Sequence, residues 1–71
     1  MPIIIAPLNE ELTISKININ DLKVKKHLES LGFLVGSKLE ILEVSGGNLI
    51  IHIGNSRIAL DKGTARGIHV Y

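Results

Sequence analysis

The sequence contains no cysteine, few aromatic residues and no excess of either charge. Without cysteine the chain forms no disulfide bond and offers no thiolate to a zinc or iron–sulfur site. Its only aromatic residues are Phe33 and Tyr71, which are too few for stacking on single-stranded nucleic acid. Lys and Arg number 8 against 7 Asp and Glu, so the basic excess typical of nucleic-acid binding is missing. We therefore expect no nucleic acid among the partners.

Long apolar runs are also missing. The first run, from Ile3 to Ala6, ends at Pro7 and is far shorter than the roughly 20 residues that cross a bilayer. It is also too short for the core of a signal peptide, and no basic residue precedes it. We therefore expect no direct membrane insertion and a cytoplasmic location, which the lack of cysteine also fits.

Motifs of catalysis are not found either. No serine or threonine lies in a nucleophile elbow or beside a histidine, and no glycine pattern matches a phosphate-binding loop. The carboxylates are scattered over surfaces where solubility explains them. The sequence thus predicts a protein that is not an enzyme and requires no cofactor.

Aliphatic residues dominate what is present. Hydrophobic residues make up 45% of the 71, and most of them are Ile, Leu or Val. A chain of this length folds around one core, so we expect a single domain over residues 1–71. Residues 1–8 form an apolar arm, in which Ile3 to Ile5 is either a short edge strand or a partly ordered terminus.

The local patterns then predict one helix among several strands. The helix runs from Leu22 to Leu31, with Asn20 as a plausible N-cap, Asp21 in its first turn and Gly32 ending it. Its apolar positions follow the helical repeat. The predicted strands run from Leu12 to Ile17, Lys38 to Ser45, Asn48 to Ile53, Arg57 to Leu60 and Ile68 to Tyr71.

Turn signals connect the later strands. Gly46-Gly47 and Gly54-Asn55 are typical of two-residue hairpins, and Asp61 can cap a helical turn from Lys62 to Arg66. In the second predicted strand the apolar alternation changes phase, which indicates a bulge or a strong bend. A mainly β fold follows, with about five short strands that curl into a small closed or nearly closed barrel and so remove exposed edges.

Two sets of residues are candidates for binding. The basic stretch on the helix is either a solvated helix face or a docking patch for a protein partner: Lys23, Lys26 and His27. The apolar segment after it is either part of the core or an exposed contact for the same partner: Phe33, Leu34 and Val35. Histidines and carboxylates on strands are either ordinary surface residues or ligands of a weak transition-metal site for Fe, Mn or Zn: Glu40, Glu43, His52 and His69.

The order of the glycine and aliphatic motifs resembles a known family. Leu31-Gly32-Phe33 followed by Gly36 looks like its Leu-Gly core, Arg57-Ile58-Ala59-Leu60 like its Ala-Leu strand, and Ala65, Ile68 and Val70 like its ending. The family is ferrous iron transport protein A (FeoA), and the chain is similar to it from about Leu8 to Tyr71. Asp61 stands where the family commonly has Arg.

The resemblance implies an SH3-like barrel in the bacterial cytoplasm. It also implies an accessory role in ferrous iron uptake, with the cytoplasmic domain of a G-domain-bearing ferrous iron permease as the partner. The alternative is a metal-binding or metal-sensing module, like the SH3-like domain of metal-dependent repressors. Self-association is a further hypothesis, since the isoleucines of the arm could pair with a second chain in a homodimer.

Overall fold

A computed structural model describes all residues 1–71 and contains five strands and two helices. A 3₁₀ turn at Ile3–Ile5 precedes them. In chain order they are β1 (Leu12–Ile17), α1 (Leu22–Ser30), β2 (Lys38–Ser45), β3 (Asn48–Ile53), β4 (Ser56–Asp61), α2 (Lys62–Ala65) and β5 (Ile68–Val70).

The strands form one antiparallel sheet in the order β4-β3-β2-β1-β5. The sheet bends into the small barrel-like globule that the sequence predicts, with β4 and β5 as its outer strands. Both predicted hairpins are confirmed, because Ser45 pairs with Asn48 and Ile53 pairs with Ser56 across two-residue loops. Gly46 and Gly54 hold φ values of +61° and +59° there, a conformation that glycine adopts without strain.

The phase change in β2 is a bulge. The pairing of β2 with β3 shifts register between Ile41 and Glu43, which leaves Leu42 without an opposite residue. An extra residue bends its strand and increases the local twist. The bend lets the first half of β2 pair with β1 at Leu39 while its second half extends with β3 alone.

Helix α1 begins at Leu22, as the sequence predicts, but its N-cap lies one residue later than the predicted one. Asp21, not Asn20, is the N-cap, and its carboxylate accepts hydrogen bonds from the backbone N–H groups of Lys23 (2.9 Å) and Val24 (3.3 Å). The helix ends at Ser30, so the predicted end at Leu31 is one residue too long. Gly32 follows with a φ of +105°, as the sequence predicts.

The N-terminal arm is not a strand. Ile3–Ile5 forms a 3₁₀ turn, so of the two alternatives that the sequence left open the edge strand is wrong. The residues before the turn pair with β5: Pro2 bridges to His69, and Met1 exchanges backbone hydrogen bonds with Val70. The side chain of Ile3 is completely buried, which fixes the turn against the barrel.

The core is entirely apolar. Its 14 buried residues include no polar or charged side chain. They come from the arm, every strand, both helices and Phe33, which supplies the only aromatic ring of the core. No helix in the structure has both the length and the apolarity that a membrane-spanning helix requires.

A candidate docking surface along α1 and β4

The outer face of α1 carries lysines that have no acidic partner. Lys23 and Lys26 are exposed, and Lys25 is partly buried. The structure contains one ion pair, between Lys38 Nζ and Glu11 Oε1 at 3.5 Å, which lies away from this helix. The charges of α1 are therefore available to a partner.

The same lysines are poorly placed for the stability of the helix. Positive charges are unfavourable near a helix N-terminus, where the backbone dipoles leave a partial positive charge. α1 has no acidic residue in its first turn apart from the cap, and its one carboxylate, Glu29, lies in the last turn. The lysines in the first turns of α1 therefore do not complement the helix dipole.

The inner face of α1 packs through a narrow apolar stripe. Leu28 is buried, while Val24 and Leu31 are half-buried, as the helical repeat predicts. α1 runs antiparallel to β4. Val24 near its start lines a cavity with Asp61 at the end of β4, and Gly32 after its end lies against Ile53, which pairs with the first residue of β4.

An apolar groove separates α1 from β4. It has a volume of ≈ 260 Å³. One wall is the inner face of α1 with His27 at its rim, and the other is formed by β4 and α2: Val24, His27, Leu28, Leu31, Ile58, Ala59, Leu60, Asp61 and Thr64. The candidate residues inferred from the sequence did not include the β4 wall. The inward position of Ile58 in the strand alternation was the only signal of it.

The apolar segment after the helix divides into two environments. Phe33 is completely buried, so it belongs to the core and cannot be a partner contact. Leu34 and Val35 are 48% and 63% exposed and remain available for contact. Gly36 and Ser37 pair with Ile14 of β1, which holds the segment in place.

The candidate metal ligands do not come together. Glu40 and His52 are cross-strand neighbours, but Glu43 pairs with Ile50 beyond the bulge. His69 lies on β5, which is separated from β3 by two strands, so His52 and His69 do not lie on paired strands. The structure holds no group of three or more side chains with metal-ligand geometry.

His69 has a different environment from His52. It is half-buried beside the arm, and its Nδ1 atom is buried without a hydrogen-bond partner. His52 is exposed and lines a shallow pocket with Glu11 and Glu40. The pocket therefore brings Glu11, Glu40 and His52 to one surface, but they do not form a group that could hold a metal ion.

Asp61 at the end of β4 is already engaged. Its carboxylate accepts hydrogen bonds from the hydroxyl (2.7 Å) and the backbone N–H (3.0 Å) of Thr64, and so caps α2. These bonds, the hydroxyl bond first, hold the pKa of Asp61 below its ordinary value. The one carboxylate that lines the groove therefore stays charged but already has partners.

The family model of the FeoA domain matches residues 1–71, the whole chain. The chain belongs to the FeoA family. The fold of this FeoA domain also agrees with solved structures, while the curated proteins contain no match to its sequence.

Two solved structures are similar to this FeoA domain. The solution structure of iron(II) transport protein A from Clostridium thermocellum matches with a TM-score of 0.86 and 26% identity. The match covers 99% of this chain and 44% of the Clostridium thermocellum chain. The domain therefore spans less than half of that chain. The crystal structure of an iron uptake regulatory protein (FeoA) matches with a TM-score of 0.82 and 24% identity. The match covers 99% of this chain and 93% of the other. At this identity the likeness shows the fold alone.

Proposed function

We propose that this FeoA domain acts in ferrous iron uptake as a non-enzymatic accessory protein that binds an acidic protein partner through α1. Membership of the family and the names of the two solved relatives support the pathway. The cytoplasmic domain of the ferrous iron permease is the partner that we infer. The observation that carries the binding role is the basic face of α1, exposed and without an ion pair.

Charge and apolar surface combine along α1. Lys23 and Lys26 steer an acidic surface towards the helix, since complementary charge mainly raises the association rate. Leu34 and Val35 offer exposed apolar area at the end of the helix, where contact removes it from water. A protein surface with acidic groups around an apolar patch fits both.

The test is a titration of the isotope-labelled domain with the permease's cytoplasmic domain, followed by NMR. We expect chemical-shift changes concentrated on α1 and on Leu34 and Val35. The double variant Lys23→Glu, Lys26→Glu reverses the charge of the helix and is expected to weaken binding by about tenfold at low salt, with a smaller effect at high salt.

The matched control is Lys16→Glu. Lys16 is also exposed, and it lies on β1, where it pairs with His69 of β5. Lys16→Glu changes the net charge by half as much as the double variant does. A nonspecific effect of charge would therefore appear in Lys16→Glu as a proportionate loss of binding. Equal binding by the double variant and the unaltered domain, or no shift change at all, would contradict the proposed role.

A further inference from the structure

The two outer strands of the sheet differ in how their free edges are covered. The edge of β5 that faces away from β1 is covered, because Met1 and Pro2 pair there with Val70 and His69. β4 pairs only with β3, and no other segment hydrogen-bonds to its opposite edge. An exposed strand edge is a template for another extended chain.

The register identifies which groups of β4 point outwards. A two-residue hairpin closes on a pair that exchanges both backbone bonds, here Ile53 and Ser56, and such pairs alternate along an antiparallel ladder. Ile58 therefore bonds to β3. The N–H and C=O groups of Arg57 and Ala59 point to the free edge.

The free edge of β4 borders the groove. Arg57 and Ala59 have exposed side chains, and Ile58, Ala59 and Leu60 form the groove wall opposite α1. A volume of ≈ 260 Å³ is below the range of about 300–1,000 Å³ for small-molecule sites, so the groove suits a single inserted side chain. Backbone pairing beside a side-chain pocket is the arrangement by which extended peptides are bound.

The charges around this edge favour an acidic occupant. Arg57 lies on β4, and Lys62 follows the last residue of β4. His27 lies on the rim of the groove, and Lys23 lies one helical turn before it on α1. Asp61 is the one carboxylate on this rim, and Thr64 already holds it.

We propose that β4 is a docking edge for an extended acidic peptide segment of a partner protein, which adds as a sixth strand and inserts an aliphatic side chain into the groove. The second half of β2 is a poorer edge, since the bulge at Leu42 interrupts its ladder. This inference rests on the proposed function and assigns the site and chemistry of its partner.

The probe is a short peptide in which valine alternates with glutamate and serine, titrated to millimolar concentration into the labelled domain. We expect shift changes and slowed amide exchange at Arg57 and Ala59, with smaller changes at Leu28 and Leu31. The same peptide with lysine in place of glutamate is expected to bind about tenfold more weakly at low salt. No response to the acidic peptide, or an equal response to the basic one, overturns the inference.

Variants of Ala59 test the backbone contact. Ala59→Pro removes the outward N–H at a position where an edge strand tolerates proline, and it is expected to weaken peptide binding by about tenfold. Ala59→Ser keeps the N–H and is expected to bind as the unaltered domain does. A peptide methylated on its backbone nitrogens tests the same pairing from the other side and does not depend on the folding of the proline variant.

The permease's cytoplasmic domain separates this inference from the proposed function. If it binds Ala59→Pro as tightly as the unaltered domain, the function stands and the docking edge is wrong. If the permease's cytoplasmic domain binds neither Ala59→Pro nor the unaltered domain while the acidic peptide binds β4, the proposed function is wrong and the docking edge stands. If the amides of Arg57 and Ala59 change on dilution without peptide, a second copy occupies the edge and the partner proposal is overturned.

Discussion

Gly67 shows how closely two backbone segments approach at the residue scale. A Cβ atom at this position would lie 2.5 Å from the carbonyl oxygen of Asn18 and 2.9 Å from Ile19 Cγ1. The backbone N–H of Asn18 also donates to the carbonyl of Gly67 at 2.7 Å. The residue before β5 thus lies directly against the chain that follows β1, and only a residue without a side chain fits there.

We expect Gly67→Ala to destabilise the domain by about 1–3 kcal/mol, because the added methyl group meets backbone that cannot move without breaking this hydrogen bond. Gly47→Ala is the matched control, since a Cβ at Gly47 has no neighbour within 4 Å and its φ is not positive. It is expected to change stability by less than about 1 kcal/mol. Urea unfolding of both variants measures the difference, and similar losses would refute the close-approach explanation.

Single residues also show where sequence patterns stop being informative. The apolar alternation of β3 is enough to separate exposed His52 from its buried neighbours Ile51 and Ile53, because side-chain direction in a strand is local. Whether His52 meets His69 depends on strand order, which no local pattern specifies. The burial of Phe33 with the exposure of Leu34 is likewise decided by packing, since both residues are equally apolar in the sequence.

At the scale of elements, α2 depends on one charged cap. Because the pKa of Asp61 is lower in the folded than in the unfolded chain, its charge stabilises the fold above the ordinary pKa of 3.8. That contribution is lost as the pH falls through the lower, folded value. The cap is therefore sensitive to acid but not to neutral or alkaline pH.

Removing the Thr64 hydroxyl should raise the pKa of Asp61 towards its ordinary value. NMR titration of the Asp61 carboxyl in Thr64→Val and in the unaltered domain measures the change. We also expect Asp61→Asn, which keeps an N-cap side chain without the charge, to lose stability at neutral pH relative to the unaltered domain. That difference should shrink in acid; a Thr64→Val titration identical to the unaltered one would contradict the assigned cause.

The helices and strands were predictable where their signals are local. The hairpin glycines and the helical repeat of Val24, Leu28 and Leu31 specified the element order and most of the bounds. Asn20 and Asp21 are both good caps, and only the extended backbone at Asp21, with φ −75° and ψ 111°, decides between them. The β4 wall of the groove escaped prediction because it exists only where α1 lies against the sheet.

At the scale of the whole molecule, the arm covers one of the two edges of the sheet. Ile3 is fully buried, and the residues before it cover the free edge of β5. Three consecutive isoleucines have strand propensity, but burial of the first one and its packing on the barrel favour a 3₁₀ turn instead. Tertiary structure overrides local propensity here, which is why the edge-strand alternative is wrong.

Ile3→Ala is expected to cost about 2–5 kcal/mol, a large part of the total stability of a domain this small. Ile5→Ala is the control, because Ile5 is 69% exposed and its truncation should cost less than about 0.5 kcal/mol. Thermal or urea unfolding measures both. Sedimentation of the two variants also tests the homodimer hypothesis: loss of a dimer in Ile5→Ala without loss of stability would show that the arm joins two chains.

A core made only of hydrocarbon side chains has a consequence for how such domains diverge. Aliphatic residues of similar volume replace one another at small cost, because none of them has a polar atom that needs a fixed partner. Descendants of a common ancestor can therefore exchange isoleucine, leucine and valine almost freely while the backbone keeps its course. A TM-score of 0.86 at 26% identity fits a backbone that such exchanges leave in place.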